Sequence, residues 1–187
     1  MSLTRLLFIG LPGAGKGTQA KLLNLTHIST GDVIKNAFAN KDSLLLPYQE
    51  SINKGELLPD ERVFKLIEQH IQNLPPTSKG YILDGAVRTI PQAEFVLNRE
   101  LIDAVFEFRC SEREAIRRIG LRRGKENRKE DSPEAIKIRF REYYEKTYPA
   151  ISFLMLQHYD SSLRYFTIDA EKSIEEVHKE ISNILYD

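Results

Sequence analysis

The sequence predicts an α/β protein: a three-layer fold with a central, mostly parallel five-stranded sheet flanked by helices. Three observations carry that expectation. Short apolar runs occur at residues 6–9, 81–83, 105–108 and 165–168, with a weaker one at His27-Ile28. Helical patterns lie between them, and this alternation is the signature of a parallel sheet. A glycine-rich stretch separates the first run from the helix that follows it.

The elements follow in chain order. Leu6, Leu7, Phe8 and Ile9 form the first run, which breaks at Gly10 and is too short for a signal-peptide core. Residues 30–75 are mostly helical and separate two strands. Within them Val63, Leu66, Ile67, Ile71 and Leu74 share one face of a helix, with Asp60 placed as its N-cap after Pro59. Tyr81-Ile82-Leu83 then runs into Asp84. Thr89 and Gln92 form a capping box with Pro91 in the first turn. Ser111 and Glu114 form another, opening a helix to about Arg123 that Gly124 closes. Ser132-Pro133 reads as N-cap and first residue of a helix ending before Pro149. Residues 122–131, RRGKENRKED, are a charged interruption between two helices. Both this stretch and residues 30–75 read as excursions from a single domain spanning 1–187.

Composition narrows the function classes. The chain has 187 residues, 41% hydrophobic and 29% charged, enough for one substantial core. Lys plus Arg equals Asp plus Glu at 27 each, which points to neither nucleic acid nor a membrane surface as partner. A single cysteine, Cys110, excludes an intramolecular disulfide and a cysteine metal cluster, and favours a reducing, cytoplasmic setting. No run approaches the roughly 20 apolar residues of a membrane span.

Gly10-Leu11-Pro12-Gly13-Ala14-Gly15-Lys16-Gly17-Thr18 satisfies G-x-x-x-x-G-K-[ST] between a strand and a helix. At about 7% glycine usage, a chance match in this length is of order one per cent. Such a loop turns backbone N–H groups and a helix N-terminus toward phosphate oxygens. Lys16 would reach the β- and γ-phosphates, and the Thr18 hydroxyl would bind Mg²⁺. Asp84, at the carboxyl end of a later strand, is the natural acid for the same ion. Phosphoryl chemistry also needs positive charge around the moving group. Arg118 and Arg122 stand four apart on one helix face, followed by Arg123, Arg128 and Arg139. The competing reading is a solvated basic face paired with Glu126, Glu130 and Glu134.

With these pieces placed, the chain resembles the adenylate kinases of the nucleoside monophosphate kinase family, nearly end to end. GLPGAGKGTQAKLL resembles the family's phosphate loop, and HISTGDVIK the start of its monophosphate-binding segment. GELLPDERV resembles the turn beside the monophosphate base. GYILDGAVRTIPQAE resembles the D-G-F-P-R-T-x-x-Q-A run. NRKEDSPEAIKIRF resembles the lid motif R-x-D-D with a second arginine eleven residues after the first. IDAEKSIEEV resembles the segment under the adenine.

The resemblance implies the reaction ATP + AMP ⇌ 2 ADP with Mg²⁺, in a monomer. It implies a monophosphate-binding subdomain at 30–73 and a short lid at 120–134. For ATP it implies Gly13, Ala14, Gly15, Lys16, Gly17 and Thr18, with Arg122 near the phosphates and Lys172 near the adenine. For AMP it implies Thr30, Lys35, the backbone of Glu56, Leu57 and Leu58, then Gly85, Arg88 and Gln92. Arg128 and Arg139 would close over the transferring group. Lys16, Arg88, Arg122, Arg128 and Arg139 form the implied catalytic set, and Thr18 with Asp84 the metal set.

Four features depart from the pattern. Only residues 124–127 separate Arg123 from Arg128, so the lid is short, and the cysteine count excludes the zinc site of longer lids. The acid pair of the lid motif is Glu130-Asp131. Lys35 stands where the family carries a phosphate-gripping arginine. Ala86-Val87 stands in place of Phe-Pro before Arg88, removing a fixed φ and an aromatic surface. A UMP/CMP-type kinase is the alternative acceptor class, opposed by Thr89 and Gln92. A nucleotide-binding module with reduced turnover is the third reading.

Overall fold

The computed structural model describes residues 4–126, 131–160 and 162–186. Its sheet has five strands in the order β2-β3-β1-β4-β5, all parallel. They are β1 (Arg5–Gly10), β2 (Thr26–Ser29), β3 (Tyr81–Asp84), β4 (Ala104–Arg109) and β5 (Arg164–Asp169). Each expected apolar run is one of these strands. The runs read as continuous rather than alternating because both faces of the sheet are covered. Leu7, Ile9, Leu83 and Val105 pack into the core on one face, and Leu6, Phe8, Ile82 and Phe106 into the core on the other.

Nine helices are described: α1 (Lys16–Leu22), α2 (Thr30–Ala39), α3 (Gln49–Asn53), α4 (Asp60–Gln72), α5 (Ile90–Asn98), α6 (Glu112–Glu126), α7 (Pro133–Glu142), α8 (Tyr148–Asp160) and α9 (Ile174–Tyr186). Register aligns the strand ends that matter: Asp84 lies opposite both Phe8 and Ser29. The glycine loop after β1, the start of α2 after β2 and Asp84 after β3 therefore meet at one edge. At the opposite edge Asp103 accepts from Arg5 N at 3.0 Å and Arg5 Nε at 2.9 Å, joining the starts of β1 and β4. Among the described residues no helix is long and apolar enough to cross a membrane.

Three helix ends differ from expectation. Pro59, not Asp60, occupies the N-cap of α4. The Asp60 carboxylate is instead engaged by Thr89 and Gln92. The α6 helix runs through Gly124 to Glu126 instead of closing there. Its capping box is half formed: Glu114 N donates to Ser111 Oγ at 3.3 Å, but Ser111 N donates to Glu171 at 2.8 Å. Glu114 is drawn away by Arg117 and Arg118. Finally, Ser132 caps α7 as expected, accepting from Ala135 N at 3.2 Å, yet the chain does not turn off before Pro149. A π-helical turn, Tyr143–Thr147, leads directly into α8. A proline clashes with the carbonyl four residues back, here Glu145, and the wider turn gives that carbonyl room.

Candidate active site

The phosphate loop is shaped by its glycines. A Cβ at Gly13 (φ 90°) would lie 2.6 Å from the Ala115 carbonyl oxygen, so only glycine lets the loop rest on α6. Gly15 holds the N-cap of α1 at φ 91°. Lys16 Nζ donates to the carbonyls of Gly10 at 2.9 Å and Leu11 at 3.0 Å, so the side chain runs back along the loop. Burial pushes the Lys16 ammonium down to about 8, with Arg88 and Arg139 adding to the effect and Asp84 opposing it. A phosphate beside it would supply the missing negative charge.

One cavity of about 860 Å³ opens beside this loop. Small-molecule sites span about 300–1,000 Å³, so it stands near the upper end. Every described residue singled out from the sequence lines it. Gly13, Ala14, Gly15, Lys16, Gly17 and Thr18 form one wall, with Asp84, Gly85, Arg88 and Gln92 beside them. Thr30, Lys35, Glu56, Leu57 and Leu58 face it from the 30–73 excursion. Arg122, Arg139 and Lys172 close the remaining side. Arg128, with Glu130, lies outside the described residues.

Asp84 and Arg88 share the end of β3. Burial pushes the Asp84 carboxyl up, but a hydrogen bond from His27 and the charges of Lys16 and Arg88 hold it net below its usual value. His27 Nε2 lies 3.2 Å from Asp84 Oδ2. Burial pushes the Arg88 guanidinium down while Asp84 opposes it. Gly85 at φ 74° gives the Arg88 side chain room, since a Cβ there would be 3.1 Å from its Nη2. Ala86 is not an open gap beside the pocket. It is fully buried in the core, and of the pair only Val87 reaches the cavity.

The arginines divide into two groups. Arg122 grips Asp131 with both Nε (2.9 Å) and Nη2 (2.6 Å), and Arg139 Nη1 reaches the same carboxylate at 2.9 Å. Asp131 has no exposed surface. A carboxylate that is wholly buried and shared between two guanidinia is not part of a solvated charge run. Arg117 and Arg118 instead share Glu114, whose carboxyl they hold down to about 2. Lys172, which also lines the cavity, pairs through Nζ with Glu180 at 2.9 Å.

Gln92 is 1% exposed and its amide is in use. Its Oε1 accepts from Arg88 N and its Nε2 donates to Asp60, both at 2.7 Å. The amide thus has structural duties besides any contact with a base. Arg118, already a candidate by its place four residues from Arg122, lines the cavity as well, whereas His27, Asp60 and Thr147 had no part in the sequence reading of the site. Arg118 carries the detectable signal, four residues from both Glu114 and Arg122 on a helix face. The others face their partners only through long-range packing.

A glycine loop gripping its own lysine, an acid at the neighbouring strand end and arginines around one deep cleft define a P-loop phosphotransferase. The comparisons with known proteins make this more particular. The family model described as Adenylate kinase matches residues 8–159. The adenylate kinase of Sinorhizobium medicae is 37% identical over 197 residues, covering 97% of this chain and 99% of that protein. That of Cyanothece sp. is 36% identical over 192 residues, covering 98% and 95%. That of Archaeoglobus fulgidus is 35% identical over 217 residues, covering 96% and 97%. All three alignments are longer than this chain, so each of these relatives carries residues absent here. The chain belongs to the adenylate kinase family. It is an enzyme that transfers the γ-phosphoryl group of ATP to AMP, and nothing favours the pyrimidine acceptors.

Proposed function

We propose that Lys16, Arg88, Arg122 and Arg139 carry the transfer between ATP and AMP, with Arg128 joining them from the short lid. The observation behind this reading is the gathering of Lys16, Asp84, Arg88, Arg122 and Arg139 around one cavity. ATP phosphates would lie against the loop of Gly13 to Thr18, where N–H groups and the start of α1 favour negative charge. Lys172 would flank its adenine. AMP would lie toward α2, with Thr30, Glu56, Leu57 and Leu58 beside the nucleoside. Lys35 and Arg88 would face its phosphate, and Gly85 and Gln92 would stand close by.

The attacking AMP oxygen is already anionic, so no protein base has to remove a proton. Catalysis is then alignment plus charge. Arg88 holds the acceptor, Lys16 holds the donor, and Arg122 and Arg139 spread positive charge over the group in transit. Their shared hold on Asp131 keeps the last two guanidinia in fixed relative positions. The Thr18 hydroxyl and the Asp84 carboxylate fit a hard divalent cation. The helix start approaches the acid closely: a Cβ on Gly17 would lie 3.3 Å from Asp84 Oδ2. Asp84 is held in its anionic form, as a ligand must be. Bound Mg²⁺ would offset phosphate charge there.

Residues 30–73 and 120–134 would act as two parts closing over the cleft and excluding water. A cytoplasmic monomer accompanies this reading, supported by the lone cysteine and the short lid. The experiment is a phosphoryl-transfer assay with AMP, CMP and UMP as acceptors, run with the parent and Lys16→Ala. Transfer to AMP should dominate, and the variant should lose at least about 100-fold in kcat, as removal of a single preorganised charge contact does. Parent-like turnover by Lys16→Ala would overturn the assignment.

A further inference from the structure

Arg88 sits in the turn after β3 with its backbone held on both sides by side chains from other elements. Its N–H donates to Gln92 Oε1 at 2.7 Å, and its carbonyl accepts from Thr147 Oγ1 at 3.1 Å. The Gln92 amide is held in turn. Its Nε2 donates to Asp60 Oδ1 at 2.7 Å, and Thr89 Oγ1 donates to the same oxygen at 2.8 Å. Asp60 opens α4 in the 30–73 excursion and is not among the residues lining the cavity.

An amide has one accepting end and one donating end, and the two differ little in shape. The Arg88 N–H can use only the oxygen. Something must therefore fix which way the amide points. A carboxylate accepts and cannot donate, so Asp60 selects the nitrogen and leaves the oxygen for Arg88. Gln92 is 1% exposed, so water is a poor substitute for either partner. No proline precedes Arg88 to fix its approach, which leaves these hydrogen bonds to set it.

We propose that Asp60 is a positioning residue for phosphoryl transfer: by orienting the Gln92 amide it fixes the Arg88 backbone, and so aims the guanidinium at the acceptor phosphate. The proposal rests on the reading that Arg88 holds that phosphate. Packing between the two helices does not depend on Asp60. Phe64 stacks on Phe95 with ring centroids 4.2 Å apart, and Val63 and Ile67 are buried beside them.

The test is steady-state kinetics with AMP and ATP varied separately, for Asp60→Ala, Asp60→Asn, Arg88→Lys and the double variant Asp60→Ala/Arg88→Lys. Asp60→Ala should raise the KM for AMP about five- to tenfold, the scale of one ordinary hydrogen bond lost, and change the KM for ATP by less than about twofold. Asp60→Asn keeps an oxygen for Gln92 Nε2 and should recover most of the parent KM for AMP. In the Arg88→Lys background, Asp60→Ala should add little, because both act through the same guanidinium. Equal increases in both KM values, or full additivity on that background, would overturn the proposal. An unchanged KM for AMP in Arg88→Lys would instead remove Arg88 from the acceptor site, and the proposal with it. Asp60→Ser, too short to reach Gln92, should give the same selective rise and replaces Asp60→Ala should that variant not fold.

Discussion

Lys35 faces the cavity from α2 and would offer the AMP phosphate a point charge, where a guanidinium would offer a two-pronged fork. Lys35→Arg should therefore lower the KM for AMP about threefold, within the span of one improved hydrogen bond. An unchanged KM would take Lys35 out of the acceptor site. Asp103 makes a different residue-scale prediction. Burial pushes its carboxyl up, but hydrogen bonds from Arg5 and the N–H of Thr4 hold it net below its usual value. A carboxyl lowered in the folded state contributes stability above its unfolded pKa, near 4, and loses it as pH falls through the folded value. Asp103→Asn should thus unfold at lower temperature than the parent at pH 6–7. The two melting curves should converge as pH falls below about 4. A gap that persists at pH 2 would place the effect in packing. Lys16 and Asp84 were legible in the sequence because loop spacing and a strand end announce them, and Arg88 because its run resembles the family's D-G-F-P-R-T. Asp60 was not: its partners lie 29 and 32 positions away, so local pattern offered only the capping role that Pro59 in fact fills.

Elements were legible where one local cause dominates. The central strands β1, β3 and β4 announced themselves because burial on both faces demands unbroken apolar runs. The edge strands β2 and β5 are each buried at a single residue, and β2 gave only a weak signal. The caps at Ser132 and Thr89 formed because their partners stand three residues on. The Thr89 box is also only half formed, since Gln92 Oε1 accepts from Arg88 N rather than Thr89 N. The Ser111 box formed by half because Glu171, from beyond β5, outcompeted Glu114 for the Ser111 N–H. The π turn before Pro149 has no local pattern, since it answers a clash and a tertiary hydrogen bond from Thr147 to Arg88 together. The turn after α3 carries a prediction. Gly55 has φ 95°, and a Cβ there would lie 2.7 Å from the Ala135 carbonyl oxygen and 3.0 Å from Arg139 Cγ. Gly55→Ala combines a left-handed backbone with a collision against α7. The variant should lose about 1–3 kcal/mol of stability, read as a lower melting temperature. It should also reduce kcat, because the collision presses on the helix that presents Arg139. Parent-like melting would mean that α7 yields without cost.

At the scale of the whole molecule, the alternation of strands and helices fixes a parallel sheet, but not the order of its strands. That order decides the chemistry. With β1 between β3 and β4, the phosphate loop is placed beside Asp84 and Arg88, and α2 beside both. The excursion between β2 and β3 and the helices α6 and α7, which carry Arg122 and Arg139, then line one cleft of about 860 Å³. Two nucleotides bound there would stand phosphate to phosphate. A single molecule carrying two adenosines joined by five phosphates should then engage the Lys16 loop and the Arg88–Lys35 side at once. The second half binds as an intramolecular event, which raises affinity by about 10²–10⁴ over a single site. Calorimetric titration should give a Kd for this mimic at least about 100-fold below that of either ATP or AMP. In the Lys16→Ala and Arg88→Lys variants the advantage should shrink, since each variant releases one end. A mimic that binds no better than ATP alone would mean that donor and acceptor do not share the cleft, and the placement of Arg88 opposite Lys16 would have to be abandoned.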